Sequence, residues 1–140
     1  MIKNNQKINH LGHNQQTILN TTINVNYKLN VGMVHSNPLN YVIRDKLAFQ
    51  FKERMLLYHN VNLIIVELVY GNKHFKITDK NNMNHVQLRT SNDNILWHKE
   101  KMMCIGVKRL LQNEPYYKNV CFIDCDIHFD NVHWVNDTFI

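Results

Sequence analysis

Between Asn62 and Tyr70 the chain reads NLIIVELVY, a run that is hydrophobic on both of its alternating faces. A strand with one wet face alternates apolar and polar residues, whereas one covered on both sides reads as continuous. The second pattern marks a central strand of a parallel sheet with helices on either side. The longest apolar stretch, Leu63 to Tyr70, is broken by Glu67 and falls far short of the roughly 20 residues needed to cross a bilayer. No basic, then apolar, then small-residue leader opens the sequence, so a soluble product is expected.

The rest of the chain suits such a sheet, because short β-branched runs alternate with longer amphipathic stretches, the order of an α/β domain. Leu29 to His35 reads as a first strand, closed by Ser36-Asn37-Pro38, where Pro38 disfavours helix at Asn37. From about Tyr41 to Tyr58, Leu47, Phe51, Met55 and Tyr58 recur at helical spacing. A minor strand is expected over His74 to Thr78 and a third main strand over His85 to Thr90, after which Ser91, Asn92 or Asp93 caps a helix. That helix, about Ile95 to Leu111, is expected to bury Leu96, Met103, Val107, Leu110 and Leu111, with Pro115 beyond its end. Asn119 to Ile127 (NVCFIDCDI) then reads as the last strand.

With 140 residues the chain has room for one domain and a core. Residues 1–28 are dominated by Asn, Gln, Thr and Lys without a periodic apolar pattern, and read as a flexible Asn-rich tail before a domain over 29–140. The three cysteines, Cys104, Cys121 and Cys125, are too few and too unevenly spaced for a disulfide framework. Reduced core thiols and a reducing, cytoplasmic setting are expected. A net charge of +5 would suit a polyanion, but the basic residues are dispersed and not interleaved with aromatics. A small anionic ligand fits that charge better than nucleic acid.

Ligands of open α/β sheets bind beyond the carboxyl ends of the strands, where loops converge and helix N-termini offer free N–H groups. Here that edge collects Ser36-Asn37-Pro38, Tyr70-Gly71, Arg89-Thr90-Ser91 and Asp124-Cys125-Asp126. Residues two apart on a strand share a face. Asp124 and Asp126 should therefore point together, with Cα atoms roughly 6.5 Å apart if the strand is extended, while Cys121, Ile123 and Cys125 pack the other way. Two carboxylates so placed can share one hard cation, Mn²⁺ or Mg²⁺, with phosphate oxygens of a ligand.

An apolar strand running into Asp-X-Asp after a β-α-β start resembles the N-terminal half of GT-A glycosyltransferases. The likeness is closer to a group of uncharacterised GT-A-like proteins, some from large viruses and bacteria. It is carried by Ser36-Asn37-Pro38, Phe51-Lys52-Glu53-Arg54-Met55, Val86-Gln87-Leu88-Arg89-Thr90-Ser91, Leu96-Trp97-His98-Lys99-Glu100 and Phe122-Ile123-Asp124-Cys125-Asp126, with Trp134 following. The resemblance implies a Rossmann-like, mainly parallel sheet with flanking helices over Leu29 to Ile140. It also implies a nucleotide-sugar diphosphate held through a divalent ion by Asp124 and Asp126. Ser36, Asn37 and Pro38 would then lie near base and ribose, with Arg89 or Lys99 near the phosphates. Such enzymes build their acceptor site from elements after this motif, so the resemblance further implies a truncated or split transferase. Its open sheet edge would call for a partner chain or a second copy.

Other readings use the same residues. Haloacid-dehalogenase phosphatases end a strand in Asp-X-Asp, as nucleophile and acid/base, but need Ser/Thr, Lys and Asp further downstream. Cys121, Cys125, His128 and His133 offer zinc-type donors, although the gap from Cys125 to His128 is too short for a finger. A non-catalytic binding or structural role is the remaining rival.

Overall fold

A computed structural model describes residues 28–96, 98–113 and 119–138. The sequence expectations for residues 1–27, Trp97 and Pro115 lie outside them. The elements run β1 (Leu29–Ser36), α1 (Val42–Tyr58), β2 (Val61–Tyr70), β3 (His85–Thr90), α2 (Lys99–Asn113), β4 (Val120–Phe122) and α3 (Trp134–Asp137). The strands form a four-stranded, all-parallel sheet in the order β3-β2-β1-β4, a Rossmann-like arrangement. As its two-faced pattern requires, β2 is central, with Ile64, Ile65 and Val66 fully buried. Among the described residues no helix is long and apolar enough to cross a membrane.

Alternation along the strands sorts the core into two layers. Leu29, Val31 and Met33 of β1 and Leu63 and Ile65 of β2 meet Ala48, Phe51 and Met55 of α1, together with Ile77, Ile123, Trp134 and Val135. Val66, Leu68 and Tyr70 of β2 and Val86 of β3 face the other way, onto Met102 and Ile105 of α2. Phe122 fills the gap between β1, β2 and α2, and two glycines make room for it. A Cβ on Gly32 would meet three carbons of the Phe122 ring at under 3.0 Å, and one on Gly106 would lie 3.2 Å from both Phe122 and Val66.

Several boundaries differ from the sequence pattern. His74 to Thr78 is an irregular loop; what fixes it is Glu67, whose carboxylate accepts the backbone N–H groups of Lys76, Ile77 and Thr78. In α1 the buried line is Asp45, Ala48, Phe51 and Met55, while Tyr58 is exposed and Leu47 half-buried. Apolar residues lie all round this helix, so the pattern admitted more than one stripe, and the small Ala48 is on the buried stripe and is itself fully buried. α2 starts at Lys99, not Ile95, which leaves Leu96 and Leu111 exposed and puts Met102, Gly106 and Leu110 inside. β4 stops at Phe122, five residues before the expected end of that strand at Ile127.

The asparagines, given no role by the sequence pattern, form a chain of amides across the amino end of the sheet. Asn113 on α2 donates to Asn84 (3.1 Å), Asn84 to Asn62 (2.8 Å), Asn62 to Asn30 (3.0 Å), and Asn30 to the Asn119 carbonyl (3.0 Å). Asn30 and Asn62 are register partners on β1 and β2, and the amides of Asn84, Asn62 and Asn30 each both donate and accept along the row. Buried polar groups are tolerated when satisfied in this way.

Candidate functional site

The order β3-β2-β1-β4 reverses direction at β1. From β1 the chain leaves through α1 toward β2, and from β3 it returns through α2 to β4 on the other side of β1. The carboxyl ends of β1 and β4 therefore border the topological switch point, where a crevice opens because neighbouring connections diverge. A cavity of about 300 Å³ lies there, walled by Val34 and His35 of β1, Arg44 and Leu47 of α1, Lys99 of α2, and Asp124, Cys125 and Asp126.

Asp124 and Asp126 reach this crevice by a different route from the one the sequence suggested. Ile123 extends the ladder by one bond, its N–H donating to Gly32 O at 2.9 Å. The chain then turns, and Ile127 N–H donates to Asp124 O at 3.1 Å. The two aspartates thus sit in a turn, not on an extended strand, a setting that aspartate favours at its first position. Ile123 and Cys125 do pack toward the α1 layer. Lys99 holds Asp124 closely, its Nζ 2.6 Å from Oδ1 and 2.7 Å from Oδ2.

Beyond the turn, Arg54 of α1 donates to the Ile127 carbonyl at 3.2 Å and contacts His128 Nε2 at 2.8 Å. Trp134 is buried, stacked on Phe129 at 4.1 Å and edge-on to His59 at 5.4 Å. The segment carrying the aspartates is therefore clamped to α1 on its far side.

Of the other sequence candidates, Ser36 is buried at the end of β1. Asn37 closes the loop into α1, bonding Tyr41 N–H (2.9 Å), Tyr41 O (2.8 Å) and Asp45 Oδ1 (2.8 Å), and the Pro38 carbonyl accepts from Lys73 Nζ at 2.6 Å. Arg89 stands apart from the aspartates. It lies on β3, two strands beyond β1 and β4's shared crevice, donates to the Gly71 carbonyl, and covers the Phe75 ring at 5.2 Å. The crevice brings together Lys99, Asp124 and Asp126 from the expected set and adds Arg44 and His35.

A second cavity, of about 240 Å³, shares His35 as a wall and is lined also by Asn37, Asn40, Asp45, Glu67, Lys73 and Lys76. Its floor is a buried polar cluster that the sequence showed only as a polar break in an apolar run. His35 Nε2 is 3.0 Å from Asp45 Oδ1, and Lys76 Nζ is 2.6 Å from Asp45 Oδ2. Burial pushes the His35 imidazole below its ordinary value, outweighing the hydrogen bond to Asp45. Burial alone would raise the Asp45 carboxyl, but the bonds from Lys76, Asn37 and His35 hold it below the usual range. Burial lowers His59 and His85 as well.

These shifts share one sign. Unfolded, the three imidazoles regain their ordinary value of 6.5 and take up protons that the folded chain refuses, so stability is lost as pH falls through that value. Asp45 adds the same sign further down, as pH falls below its ordinary 3.8. The thermal midpoint is expected to be level above about pH 7.5 and to drop steadily toward about pH 5, with a smaller drop in His35→Gln. A midpoint flat over that interval would contradict the assignment.

Two of the three cysteines depart from the expected core setting, while Cys125 packs against the core. Cys104 and Cys121 are exposed, the latter because β4 is an edge strand among the described residues, and all three are free thiols. Burial pushes the half-buried Cys125 thiol up, and the neighbouring Asp126 carboxylate adds to the shift. The zinc-type donors do not converge: among the described residues no three His, Cys, Asp or Glu side chains are placed to hold one ion. Asp124 and Asp126 are the two carboxylates that line the switch-point crevice.

Comparison with protein-family models, curated proteins and solved structures gave no match to this chain.

Proposed function

We propose that the switch-point crevice binds the diphosphate of a nucleotide sugar through Mn²⁺ or Mg²⁺ held by Asp124 and Asp126, as in the donor-binding half of a GT-A glycosyltransferase. The observation that carries this reading is the meeting of two carboxylates with Arg44 and Lys99 in one crevice at the carboxyl ends of β1 and β4. The carboxylates supply oxygen ligands to a hard cation, and the guanidinium and ammonium neutralise phosphate oxygens. The cavity beyond His35, bordered by Asn37 and Asn40, offers space for base and ribose. When bound, the ion would neutralise charge on the diphosphate leaving group.

Calorimetric titration of UDP- and GDP-sugars tests the reading, once with Mn²⁺ and once with the metal chelated. Binding that appears or tightens at least about tenfold with Mn²⁺ is expected, equivalent to about 1.4 kcal/mol. No heat with any donor in Mn²⁺ would sink it. Donor hydrolysis in the same samples separates a transferase-type enzyme from a binding protein.

A further inference from the structure

The Asp124 carboxylate is already occupied by a cation from the chain itself. Lys99 Nζ lies within hydrogen-bond distance of both its oxygens, at 2.6 and 2.7 Å, so neither is clear of the ammonium. Lys99 is also the first residue of α2, a helix of 15 residues. A positive side chain there stands at the positive end of the helix dipole, beside N–H groups that the helix leaves unpaired. The ammonium that opens α2 thus carries one anion, and in this structure the anion is Asp124.

We propose that Lys99 is an exchange latch, which makes the crevice take up a divalent cation and a diphosphate together and resist the cation alone. This rests on the metal-diphosphate reading of Asp124 and Asp126. For Asp124 to serve as a ligand, Lys99 must give up at least one of the two oxygens it holds. With a bare cation the ammonium is left without its counter-ion and next to like charge, which opposes binding. With a diphosphate the ammonium moves to phosphate oxygens, the helix end gains an anion, and the opposition is removed. The exchange breaks one ion pair and forms another, so its energy appears as coupling between the two ligands and is reciprocal: each tightens the other by the same factor. Asp126 is exposed and lines the same cavity, where it supplies the first foothold for the ion.

The latch predicts effects of opposite sign from one substitution. In Lys99→Gln, Mn²⁺ alone, followed by the electron paramagnetic resonance of the free ion, should bind roughly three- to tenfold tighter, the range expected for a partly exposed ion pair plus a removed like charge. UDP measured calorimetrically in saturating Mn²⁺ should bind about tenfold weaker in the same variant. Lys99→Arg, which keeps the charge, should return both values toward wild type. Lys99 is a partly exposed side chain, so equal thermal midpoints are expected for the three proteins. Mn²⁺ affinity unchanged or weaker in Lys99→Gln, while wild type binds the ion in a manner lost in Asp124→Asn, would overturn the latch and leave the site reading standing. UDP binding equal with and without Mn²⁺ yet lost in Lys99→Gln would make Lys99 a permanent replacement for the ion and also overturn it. Mn²⁺ and UDP silent in wild type and variants alike would overturn the site reading and the latch with it.

Discussion

Glu67→Ala is expected to destabilise the chain by about 3 kcal/mol or more, because it strips the partner from several buried donors at once. Glu67 is 2% exposed in the middle of the central strand. Its Oε1 accepts Lys76 N–H at 2.8 Å, and its Oε2 accepts Ile77 N–H at 3.1 Å, Thr78 N–H at 2.8 Å and Thr78 Oγ1 at 2.6 Å. These bonds replace a strand ladder for the loop between β2 and β3 and hold Ile77, 1% exposed, in the core beside Phe51. Without the carboxylate three backbone N–H groups must stay unpaired or the loop must open to water, and opening pulls Ile77 out. Glu67→Gln separates these contributions. With its oxygen in the Oε2 place it keeps three bonds and loses only that from Lys76, so a penalty of about 1–2 kcal/mol is expected. Urea unfolding that ranks wild type above Gln above Ala supports this account. An alanine variant within about 1 kcal/mol of wild type would mean that the loop does not depend on Glu67.

Glu67 also shows where the sequence stopped being informative. The run NLIIVELVY placed β2 in the centre of a parallel sheet because burial on both faces leaves a one-dimensional pattern. The carboxylate within it registered only as an interruption, since its four partners come from residues nine to eleven positions away, in a loop with no pattern of its own. His35 and Asp45 were hidden for a similar reason: a histidine at a strand end and an aspartate on a helix become a pair only when β1 and α1 pack. The asparagine row needed the register of β1 against β2 before Asn30 and Asn62 could be recognised as neighbours. For β4 the pattern over-reached, because Cys125 and Ile127 continue an apolar alternation through what is a turn. Of the residues that gather at the crevice, the rule of carboxyl ends reached Asp124 and Asp126 but not Arg44 or His35, Lys99 came through the resemblance, and Arg89 shows the rule's limit. That edge is as wide as the sheet, and only strand order tells which residues along it meet.

Replacing Asp126 by asparagine is expected to reduce Mn²⁺-dependent nucleotide-sugar affinity by about a hundredfold, the upper end of what loss of even an outer-shell partner of a metal costs, with no change in thermal midpoint. Asp126 is exposed in the turn after β4, so the substitution removes charge from the crevice without opening the core. Asp124→Asn should abolish the metal-dependent part as well, but with a second signature. It also frees Lys99, whose ammonium lies 2.6 Å from Asp124 Oδ1 in this structure, to meet phosphate directly. With metal chelated, Asp124→Asn should therefore bind the same ligand more tightly than wild type, by up to about fivefold if the exposed pair is worth up to about 1 kcal/mol. Asp126→Asn should show a much smaller gain there, since Lys99 remains held. Two carboxylates that merely end a strand would give neither effect: both variants would then bind as wild type does in Mn²⁺ and in chelator, and any change would appear in the midpoint instead. Under the proposed reading the pair of titrations, with and without metal, would separate the two aspartates, with Asp126 meeting only the ion and Asp124 meeting either the ion or Lys99.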